Sequence, residues 1–330
     1  MEDKKIILSG IQATGDLHLG HYIGVLKRFV EMQEKYNCYY MVANLHALTV
    51  RRDPEELREN AYKLLASYIA AGLDPEKSTI FLQSQVHEHA ELGWVLDCYT
   101  YMGELNRMTQ FKDKSAKHAD NINAGLFTYP ALMAGDILLY QTDLVPTGED
   151  QKQHVELTRD LAERFNKLYG DTFKIPEPFI EKVGARIMGL QDPTSKMSKS
   201  STIPNDTIML IDTPDEIMKK VKKAVTDSEG IVKFDVANKP GVSNLMTIYS
   251  IIKGISIEDV EKEFDGKGYG DFKTAVGEAI VKELEPFQTK YNELINNKEY
   301  LESIYTEGSR KAAEKASKTL RDVYDKLGLI

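Results

Sequence analysis

Cysteine is scarce in this sequence, with only Cys38 and Cys98 among 330 residues. Such a pair provides neither a disulfide framework nor a cysteine-rich metal site, and it favours a reducing, cytoplasmic location. Long apolar runs are also missing, so no segment is suited to cross a bilayer. The first residues, MEDKKIILSG, have no apolar signal core. We therefore expect a cytoplasmic protein with no membrane partner.

Positive charge is in the minority. Lys and Arg number 42 against 51 Asp and Glu, which gives a formal net charge of −9. This balance argues against a general nucleic-acid coat protein, which would be basic, but a nucleic-acid substrate needs only a local basic face. Two lysine-rich clusters at helical spacing are candidates for such a face, or are ordinary solvated helix surfaces. They are Lys219, Lys220, Lys222 and Lys223, and Lys311, Lys315, Lys318 and Arg321.

The first half of the chain alternates strand-like and helix-like stretches. The segments KKIILSG, CYYMVANLHAL and STIFLQS are typical of buried strands. Between them, HYIGVLKRFVEMQEKY and DPEELRENAYKLLASYIAAGL are typical of helices, the second with Asp53 as N-cap and Pro54 in its first turn. This alternation predicts an α/β fold with a doubly wound parallel sheet. Ligands of such sheets bind beyond the carboxyl ends of the strands, which indicates residues 10–21 and 44–46.

Helical periodicity dominates from Asn205 onward, and no segment there shows the alternation of a strand. A length of 330 residues is also more than one hydrophobic core usually spans. We therefore predict two domains, an α/β domain over residues 1–204 and a C-terminal α-helical domain over residues 205–330.

A histidine-containing turn separates the first predicted strand from the first predicted helix. The segment is GDLHLGH, with His18, Gly20 and His21. A helix N-terminus offers free N–H groups and the positive end of the helix dipole, which suits phosphate. Gly20 leaves room for a flat nucleotide ring against the backbone, and imidazoles three residues apart project from the same side of the turn. The pattern favours a nucleotide site, although two histidines at a helix start can also have no special role.

A second candidate site is the pentapeptide KMSKS, which runs from Lys196 to Ser200 and follows the strand-like segment VGARIMGL at 183–190. Two lysines with serines between them form a mobile cationic group, and its natural target is a polyphosphate whose charge grows during reaction. The alternative is an exposed basic loop. The position favours the first interpretation, because the segment ends the α/β region, where another strand end would bring it opposite the histidine turn.

Two further segments place polar groups among apolar neighbours. The run YPALMAGDILLY is predicted to be helical, with Tyr129, Met133, Asp136 and Tyr140 on one face. A buried aspartate there needs a partner, which is either a substrate N–H, O–H or ammonium group or an internal donor. The segment TGEDQKQH (147–154) opens another helix. Its acids and amides suit ribose hydroxyls and a substrate amine, or simply occupy the first helical turn.

In this order and topology, the HLGH and KMSKS segments resemble the two motifs of the class I aminoacyl-tRNA synthetases, and no Walker-type phosphate loop competes with them. The segments GIQATG, GELNRMTQFKDK, AGDILLYQTDLVPTGEDQKQH and AVTDSEG resemble the bacterial tryptophanyl-tRNA synthetase family more closely, and the resemblance covers nearly the whole chain. It implies a Rossmann-like catalytic domain followed by a helical anticodon-binding domain. It also implies a homodimer that uses ATP with Mg²⁺, L-tryptophan and tRNA(Trp), and that aminoacylates the tRNA in two steps through tryptophanyl-adenylate.

The resemblance implies a set of residues around the amino acid. Asp136 would accept the indole N–H, and Met133 would pack on the indole ring. Tyr129 and Gln151 would hold the amino group, and His46 would complete the site. Because a pocket built to satisfy an indole N–H is left unpaired by phenylalanine, it rejects that analogue by roughly 10⁴–10⁵, and no editing domain is needed.

The resemblance also implies a set of residues around ATP, where catalysis would consist of positioning and charge stabilisation without a general base. The catalytic residues would be His18, His21, Lys196 and Lys199. ATP contacts would come from Gln12, Ala13, Thr14, Gly20, His21, Gly148, Glu149, Asp150, Ile187, Lys196, Met197, Ser198, Lys199 and Ser200.

The chain departs from the family pattern at several positions. Many relatives have Thr-x-Gly-Asn where this chain has His18 to His21, and some have Asp-Gln-His where it has Asn44 to His46. Leu8 and Ser201 stand where relatives have an aromatic residue and an aspartate. The share of each histidine in catalysis and the role of Asn44 therefore stay open.

Three other functions are compatible with parts of the pattern. A tyrosyl-tRNA synthetase has the same architecture but needs polar partners for a phenol O–H. A small adenylyl- or cytidylyltransferase also starts a helix with H-x-G-H, but such chains are usually shorter and lack both the helical region and KMSKS. A non-catalytic RNA-binding paralogue is disfavoured by the intact histidines and lysines of the two motifs.

Overall fold

The computed structural model describes residues 4–111, 122–148, 151–179 and 186–330. Within them, one sheet has five strands, all parallel, in the order β3-β2-β1-β4-β5. Its strands are β1 (Ile6–Ile11), β2 (Asn37–Val42), β3 (Ser78–Leu82), β4 (Leu144–Pro146) and β5 (Glu177–Phe179). The order reverses between β1 and β4, which is the doubly wound, Rossmann-like topology, so the predicted fold class is confirmed.

Each face of the sheet is buried under its own hydrophobic core. Ile7 and Tyr40 point into one core, and their neighbours Leu8 and Tyr39 point into the other. Successive side chains of a strand alternate between faces, so the mostly apolar sequences of β1 and β2 are the expected result of covering both sides. The pocket-forming ends of these strands are thus held between two packed layers.

Helices connect the strands. The first runs as α1 (Leu19–His21), a π-helical turn (Tyr22–Leu26) and α2 (Lys27–Lys35). The predicted cap of α3 (Pro54–Ala70) is confirmed, because the Asp53 carboxylate accepts from the N–H groups of Glu55 and Glu56 at 2.9 and 3.1 Å. The others are α4 (Glu88–Tyr99), α5 (Met102–Asn106), α6 (Ala124–Leu139) and α7 (Lys152–Tyr169), with 3₁₀ turns at His46–Thr49 and Gln83–Gln85.

The chain beyond residue 205 is helical, as predicted. It forms α8 (Pro214–Lys223), α9 (Pro240–Lys253), α10 (Ile257–Glu263), α11 (Tyr269–Ile295) and α12 (Lys298–Leu327). The last of these helices returns to the sheet: Leu301 packs in one core, whereas Leu320 packs in the other. In the described part of the chain, no helix combines the length and apolarity that crossing a membrane requires.

One predicted strand is wrong. Residues 183–185 of the segment 183–190 lie outside the described residues, and 186–190 form no strand of the sheet. Instead, Met188 forms an isolated antiparallel bridge with Lys196, and the Met197 N–H donates to the Ile187 carbonyl at 3.0 Å. Ile187, Leu190 and Met197 are buried in the core. Their apolar character thus reflects a buried hairpin under the KMSKS segment and not a sheet strand.

Candidate active site

A pocket of about 530 Å³ opens at the carboxyl ends of β1 and β4, where the strand order reverses. Two groups of residues line it, which we call its two ends: Lys199 and His21 from the two motifs, and the hydrogen-bonded pair His46 and Asp136. This is the position that the doubly wound topology predicts for a ligand. Ten of the predicted site residues line the pocket: Gln12, Thr14, His21, His46, Tyr129, Met133, Asp136, Gly148, Gln151 and Lys199.

The other predicted site residues fall into three groups. Glu149 and Asp150 lie outside the described residues. Ala13 and Met197 have their side chains in the core, at 1% and 2% exposure. The Met197 side chain is therefore an anchor for its loop, and only its backbone can face a nucleotide. The rest do not line the pocket: His18, Gly20, Ile187, Lys196, Ser198 and Ser200.

The two histidines of the HLGH turn form a close pair, as predicted from their spacing. Their ring centroids are 3.8 Å apart, and the backbone N–H of His18 donates to Nδ1 of His21 at 3.4 Å. Nδ1 of His18 is buried with no hydrogen-bond partner among the described residues. A buried polar atom without a partner costs free energy, so this arrangement is suited to a group that arrives with a ligand.

Both rings are neutral at physiological pH. Burial lowers the pKa of His18 to about 3, and His21, Lys196 and Lys199 act in the same direction. Burial likewise lowers the pKa of His21 to about 4, assisted by Lys199 and Lys196. The pair can therefore donate hydrogen bonds to phosphate oxygens but contributes no fixed positive charge.

Gly20 is needed for the histidine pair as well as for space near a nucleotide. A Cβ at this position would lie 3.0 Å from a ring carbon of His18 and 3.6 Å from the Cβ of Ile187. The first distance is shorter than side chains tolerate, so any larger residue would displace the His18 ring. The sequence analysis identified Gly20 but not this packing reason.

Backbone pairing places the KMSKS segment opposite the HLGH turn. The Leu19 N–H donates to the Ile208 carbonyl, and the Leu210 N–H donates to the Leu17 carbonyl, both at 2.9 Å. At the residue before Ile208, the hydroxyl of Thr207 donates to the Ser198 carbonyl at 2.7 Å. The segment after KMSKS is thus tied to the start of α1, which brings together two motifs far apart in the sequence.

Lys199 reaches across the pocket. Its ammonium donates to both the carbonyl and the hydroxyl oxygen of Thr14 at 2.5 Å. Partial burial, and then the nearby charge of Arg52, lower the pKa of Lys199. Nε of Arg52 is buried without a hydrogen-bond partner in the part of the chain that the structure describes. Two neighbouring cations, one with an unused donor, mark a position for an anion. Arg52 was not predicted from the sequence, because it has no motif around it.

Asp136 occupies the far end of the pocket and is 1% exposed. Its Oδ2 lies 2.6 Å from Nε2 of His46. Its Oδ1 accepts from the Gln83 amide at 2.8 Å and lies 2.6 Å from Nδ1 of His89. The carboxylate therefore has internal partners and still faces the pocket. Of these three partners, only His46 was assigned to the amino-acid site from the sequence; Gln83 and His89 belong to none of the predicted site segments.

These partners keep the carboxylate ionised. Burial alone would raise the pKa of Asp136, but His46, and then His89, lower it to about 2. An ionised carboxylate only accepts hydrogen bonds. The far end of the pocket is thus built for a ligand that donates an N–H or O–H.

Tyr129 and Met133 precede Asp136 on the same face of α6, as predicted. The Tyr129 hydroxyl lies 2.9 Å from Nε2 of His154 and donates to Gln110 at 3.2 Å. Burial raises the pKa of Tyr129, so the hydroxyl keeps its proton. Tyr129, Gln110 and Gln151 give the middle of the pocket hydroxyl and amide groups, which suit a ligand amine.

Charges outside the pocket differ partly from the predictions. Lys220 forms an ion pair with Asp212 at 2.5 Å, whereas Lys219, Lys222 and Lys223 are exposed. The pair closes because Asp212 lies just before α8 and faces the same side as Lys220.

No three His, Cys, Asp or Glu side chains of the described residues are arranged to hold a metal ion.

Comparison with known proteins agrees with this site. The family model of the class I tRNA synthetases for W and Y matches residues 1–285. A tryptophan–tRNA ligase from Wolinella succinogenes is 56% identical over 327 residues, which are 99% of each chain. Two solved structures of tryptophanyl-tRNA synthetases are also similar in fold. That from Mycoplasma pneumoniae is 41% identical with a TM-score of 0.90, covering 98% of both chains.

The second solved structure, from Campylobacter jejuni, is in complex with ADP and tryptophan. It is 37% identical with a TM-score of 0.83, covering 98% of this chain and 99% of that one. The matches extend over the whole molecule, and both ends of the pocket belong to the matched part. The chain therefore belongs to the tryptophan–tRNA ligase family of class I tRNA synthetases.

Proposed function

We propose that this chain activates L-tryptophan with ATP and transfers the tryptophanyl group to the 3′ end of tRNA(Trp) in the cytoplasm. In the first step, a carboxylate oxygen of tryptophan bonds to the α-phosphorus of ATP, the bond to the bridging oxygen breaks, and pyrophosphate leaves. In the second step, a terminal ribose hydroxyl of the tRNA attacks the adenylate carbonyl and AMP leaves.

The ATP triphosphate would occupy the end of the pocket with His21 and Lys199. Neutral imidazoles and a lysine ammonium stabilise the growing negative charge of pyrophosphate without taking a proton from a reactant. Gln12 and Thr14 would contact the nucleotide from β1, and Gly148 would contact the ribose. Lys196 and the serines of the KMSKS segment would complete the phosphate site. Glu149 and Asp150 would contact the ribose.

Mg²⁺ would enter as the complex with ATP. The side chains at the phosphate end are mostly cations, whereas the ligands that Mg²⁺ prefers are oxygen atoms, often negatively charged. Asp16 is an acid whose charge acts on Lys199 and raises its pKa, and it already forms an ion pair with Lys63 at 3.1 Å. The phosphate oxygens and water would thus be its main ligands, and the positive side chains and the ion would share the charge of the leaving group.

Tryptophan would bind at the other end, with its indole N–H on Asp136 and its ring against Met133. Its amino group would meet Tyr129 and Gln151. The carboxylate would then point along the pocket towards the α-phosphate. The same pocket joins Asp136 to Lys199, and this continuity carries the proposal, because activation requires both substrates in one cavity.

The helical region would recognise the anticodon. We assign residues 1–204 to the catalytic domain and 205–330 to the tRNA-binding domain, with α12 as the helix that returns to the sheet. The exposed lysines at the end of α8 give the helical region a local basic face in an acidic protein, which is what phosphate contacts require.

A homodimer would form through the exposed apolar side chains of α4 and α5. Trp94, Tyr101 and Met102 are 70%, 62% and 65% exposed. Large exposed apolar side chains close together in sequence, in α4 and at the start of α5, favour an interface in this stretch.

Charging of tRNA tests the whole reaction. The protein is expected to attach [¹⁴C]tryptophan to a tRNA(Trp) transcript and to leave a tRNA(Tyr) transcript uncharged with either amino acid. Charging of tRNA(Tyr) with tyrosine would favour the tyrosyl alternative instead.

A further inference from the structure

A histidine behind the pocket, His89, is fully buried and forms hydrogen bonds through both ring nitrogens. Its Nδ1 lies 2.6 Å from Oδ1 of Asp136, and its Nε2 lies 2.8 Å from the Tyr140 hydroxyl. It does not line the pocket. A buried imidazole that has two partners and no access to a ligand can act only through its neighbours.

Close helix packing brings His89 to the carboxylate. It lies in the first turn of α4, which crosses α6 where two glycines meet. A Cβ on Gly135 would lie 3.1 Å from the backbone nitrogen of Gly93, and one on Gly93 would lie 3.1 Å from a side-chain carbon of Leu132. Larger residues would separate the helices, and a separation of even 1 Å would break a 2.6 Å hydrogen bond.

The two oxygens of Asp136 are used differently. Oδ1 has two partners, Gln83 and His89, and neither of them lines the pocket. Oδ2 has one, His46, which lines the pocket. A carboxylate oxygen has two lone pairs. Oδ1 is therefore saturated from behind, whereas Oδ2 keeps one acceptor position on the ligand side.

Tyr140 fixes the direction of the donor. An ionised carboxylate only accepts, so Nδ1 of His89 carries a proton and donates to Asp136, and with that proton on Nδ1 the other ring nitrogen, Nε2, can accept from the Tyr140 hydroxyl. Burial, and then the charge of Asp136, raise the pKa of Tyr140 well above its ordinary value, so this hydroxyl remains a donor. The series Tyr140–His89–Asp136 thus has one consistent direction of donation.

We propose that His89 is a positioning residue for substrate selection, which holds Oδ1 of Asp136 so that Oδ2 is presented to the indole N–H. This inference rests on the proposed function and adds to it the residue that orients the specificity carboxylate. His89 contributes to tryptophan affinity without touching tryptophan, and it has no part in ATP binding.

Two substitutions separate this role from simple filling of space. In His89→Asn the side-chain NH₂ can take the place of Nδ1 and donate to Asp136, whereas in His89→Gln the amide reaches towards Tyr140 instead. Losing a hydrogen bond to a charged acceptor corresponds to roughly a 10- to 100-fold change. Tryptophan affinity, measured by calorimetry, is expected to fall by roughly this factor in His89→Gln and by only about 3-fold in His89→Asn.

Kinetics provide the second measurement. In pyrophosphate exchange, His89→Gln is expected to raise the KM for tryptophan by the same factor, with the KM for ATP within about 2-fold of wild type, since its contacts lie at the other end of the pocket. The preference for tryptophan over phenylalanine is expected to fall together with tryptophan binding, because phenylalanine has no N–H to donate to Oδ2. Tyr140→Phe, which leaves no cavity, is expected to weaken tryptophan binding by a smaller factor of about 3 to 10.

Equal tryptophan affinity in the Asn and Gln variants, with similar thermal stability, overturns the inference, because a filling role would not distinguish them. A parallel rise in the KM for ATP also overturns it. A wild-type protein that binds no tryptophan contradicts the proposed function itself. If the wild type binds tryptophan and both variants bind it as tightly as the wild type, only the role of His89 is contradicted.

Discussion

The ammonium of Lys199 donates to the carbonyl and hydroxyl oxygens of Thr14 at 2.5 Å, although 185 residues separate them in sequence. The KMSKS lysine thus contacts the loop that follows β1. A triphosphate bound between the two motifs would replace this neutral partner with a charged one, which gives a stronger hydrogen bond.

Removing the ammonium should affect the chemical step. Lys199→Ala is expected to slow tryptophanyl-adenylate formation by roughly 10²–10³, since one preorganised donor to developing charge has about that effect. Tryptophan affinity should stay within a factor of about 2, because the indole end is unchanged. Single-turnover kinetics and calorimetry measure the two quantities. Lys219→Ala, an exposed lysine on α8, is the control. Equal losses of rate and tryptophan affinity would contradict the role of Lys199.

Arg52 should add to the affinity for ATP. Arg52→Gln keeps most of the side-chain volume and removes the second cation beside Lys199. The KM for ATP is expected to rise about 3- to 10-fold, within the range for a hydrogen bond to a charged group, with the KM for tryptophan unchanged. Arg51→Gln, at the exposed neighbouring position, is the matched control. An unchanged KM for ATP in Arg52→Gln would mean that Arg52 does not contact the triphosphate.

The neutral state of the histidine pair predicts the pH dependence. The pKa values of His18 and His21 are lowered to about 3 and about 4. Protonation therefore begins well below pH 6.5, and pyrophosphate exchange should show no acid limb from these rings between about pH 5.5 and 8. An acid limb near pH 6.5 that disappears in His21→Asn would show that His21 titrates at its ordinary value.

The same shifts predict the direction of stability with pH. Below pH 6.5 the unfolded chain takes up protons on both histidines, whereas the native chain does not until about pH 4 or lower. The native state should therefore lose stability as pH falls from 6.5 towards 4. Urea denaturation at several pH values measures this. In a His18→Gln variant the pH dependence should be weaker, and an unchanged dependence would show that His18 does not contribute.

The proposed dimer depends on the apolar surface of α4. Trp94→Glu is expected to shift the protein from dimer to monomer in sedimentation velocity, because a charge at the centre of an apolar interface loses its water without gaining a partner. Ile231→Glu is the control, since Ile231 is 60% exposed on the helical region. A dimer that persists in Trp94→Glu would place the interface elsewhere.

The sequence predicted the parts of the molecule that follow local rules. The Asp53 cap, the helical run around Asp136 and the pairing of His18 with His21 depend on spacing along one segment, which sequence shows directly. The strand over 183–190 was wrong because a short apolar run in a buried hairpin has the same composition as a strand.

Residues brought in by tertiary packing were not predictable in this way. Gln83, His89 and Arg52 belong to segments without motifs, and their relation to Asp136 or Lys199 arises from how helices and strand ends meet. In particular, His89 reaches Asp136 only because Gly93 and Gly135 let α4 and α6 approach. Nothing in the spacing of these residues along the chain indicates that contact.

The role of Asp136 is the most specific claim about substrate. Asp136→Asn preserves the shape of the side chain but can turn an NH₂ towards the ligand. Preference for tryptophan over phenylalanine, expected to be roughly 10⁴–10⁵ in the wild type, should fall at least 100-fold as kcat/KM ratios. An unchanged preference would remove Asp136 from the amino-acid site.

The most direct test is exchange of labelled pyrophosphate into ATP by the purified protein, with tryptophan, tyrosine or phenylalanine supplied in turn. One cavity that binds ATP beside Lys199 and an indole beside Asp136 should give rapid exchange with tryptophan and background exchange with the other two. Exchange with tyrosine at an equal or greater rate, or none with tryptophan, would contradict the account.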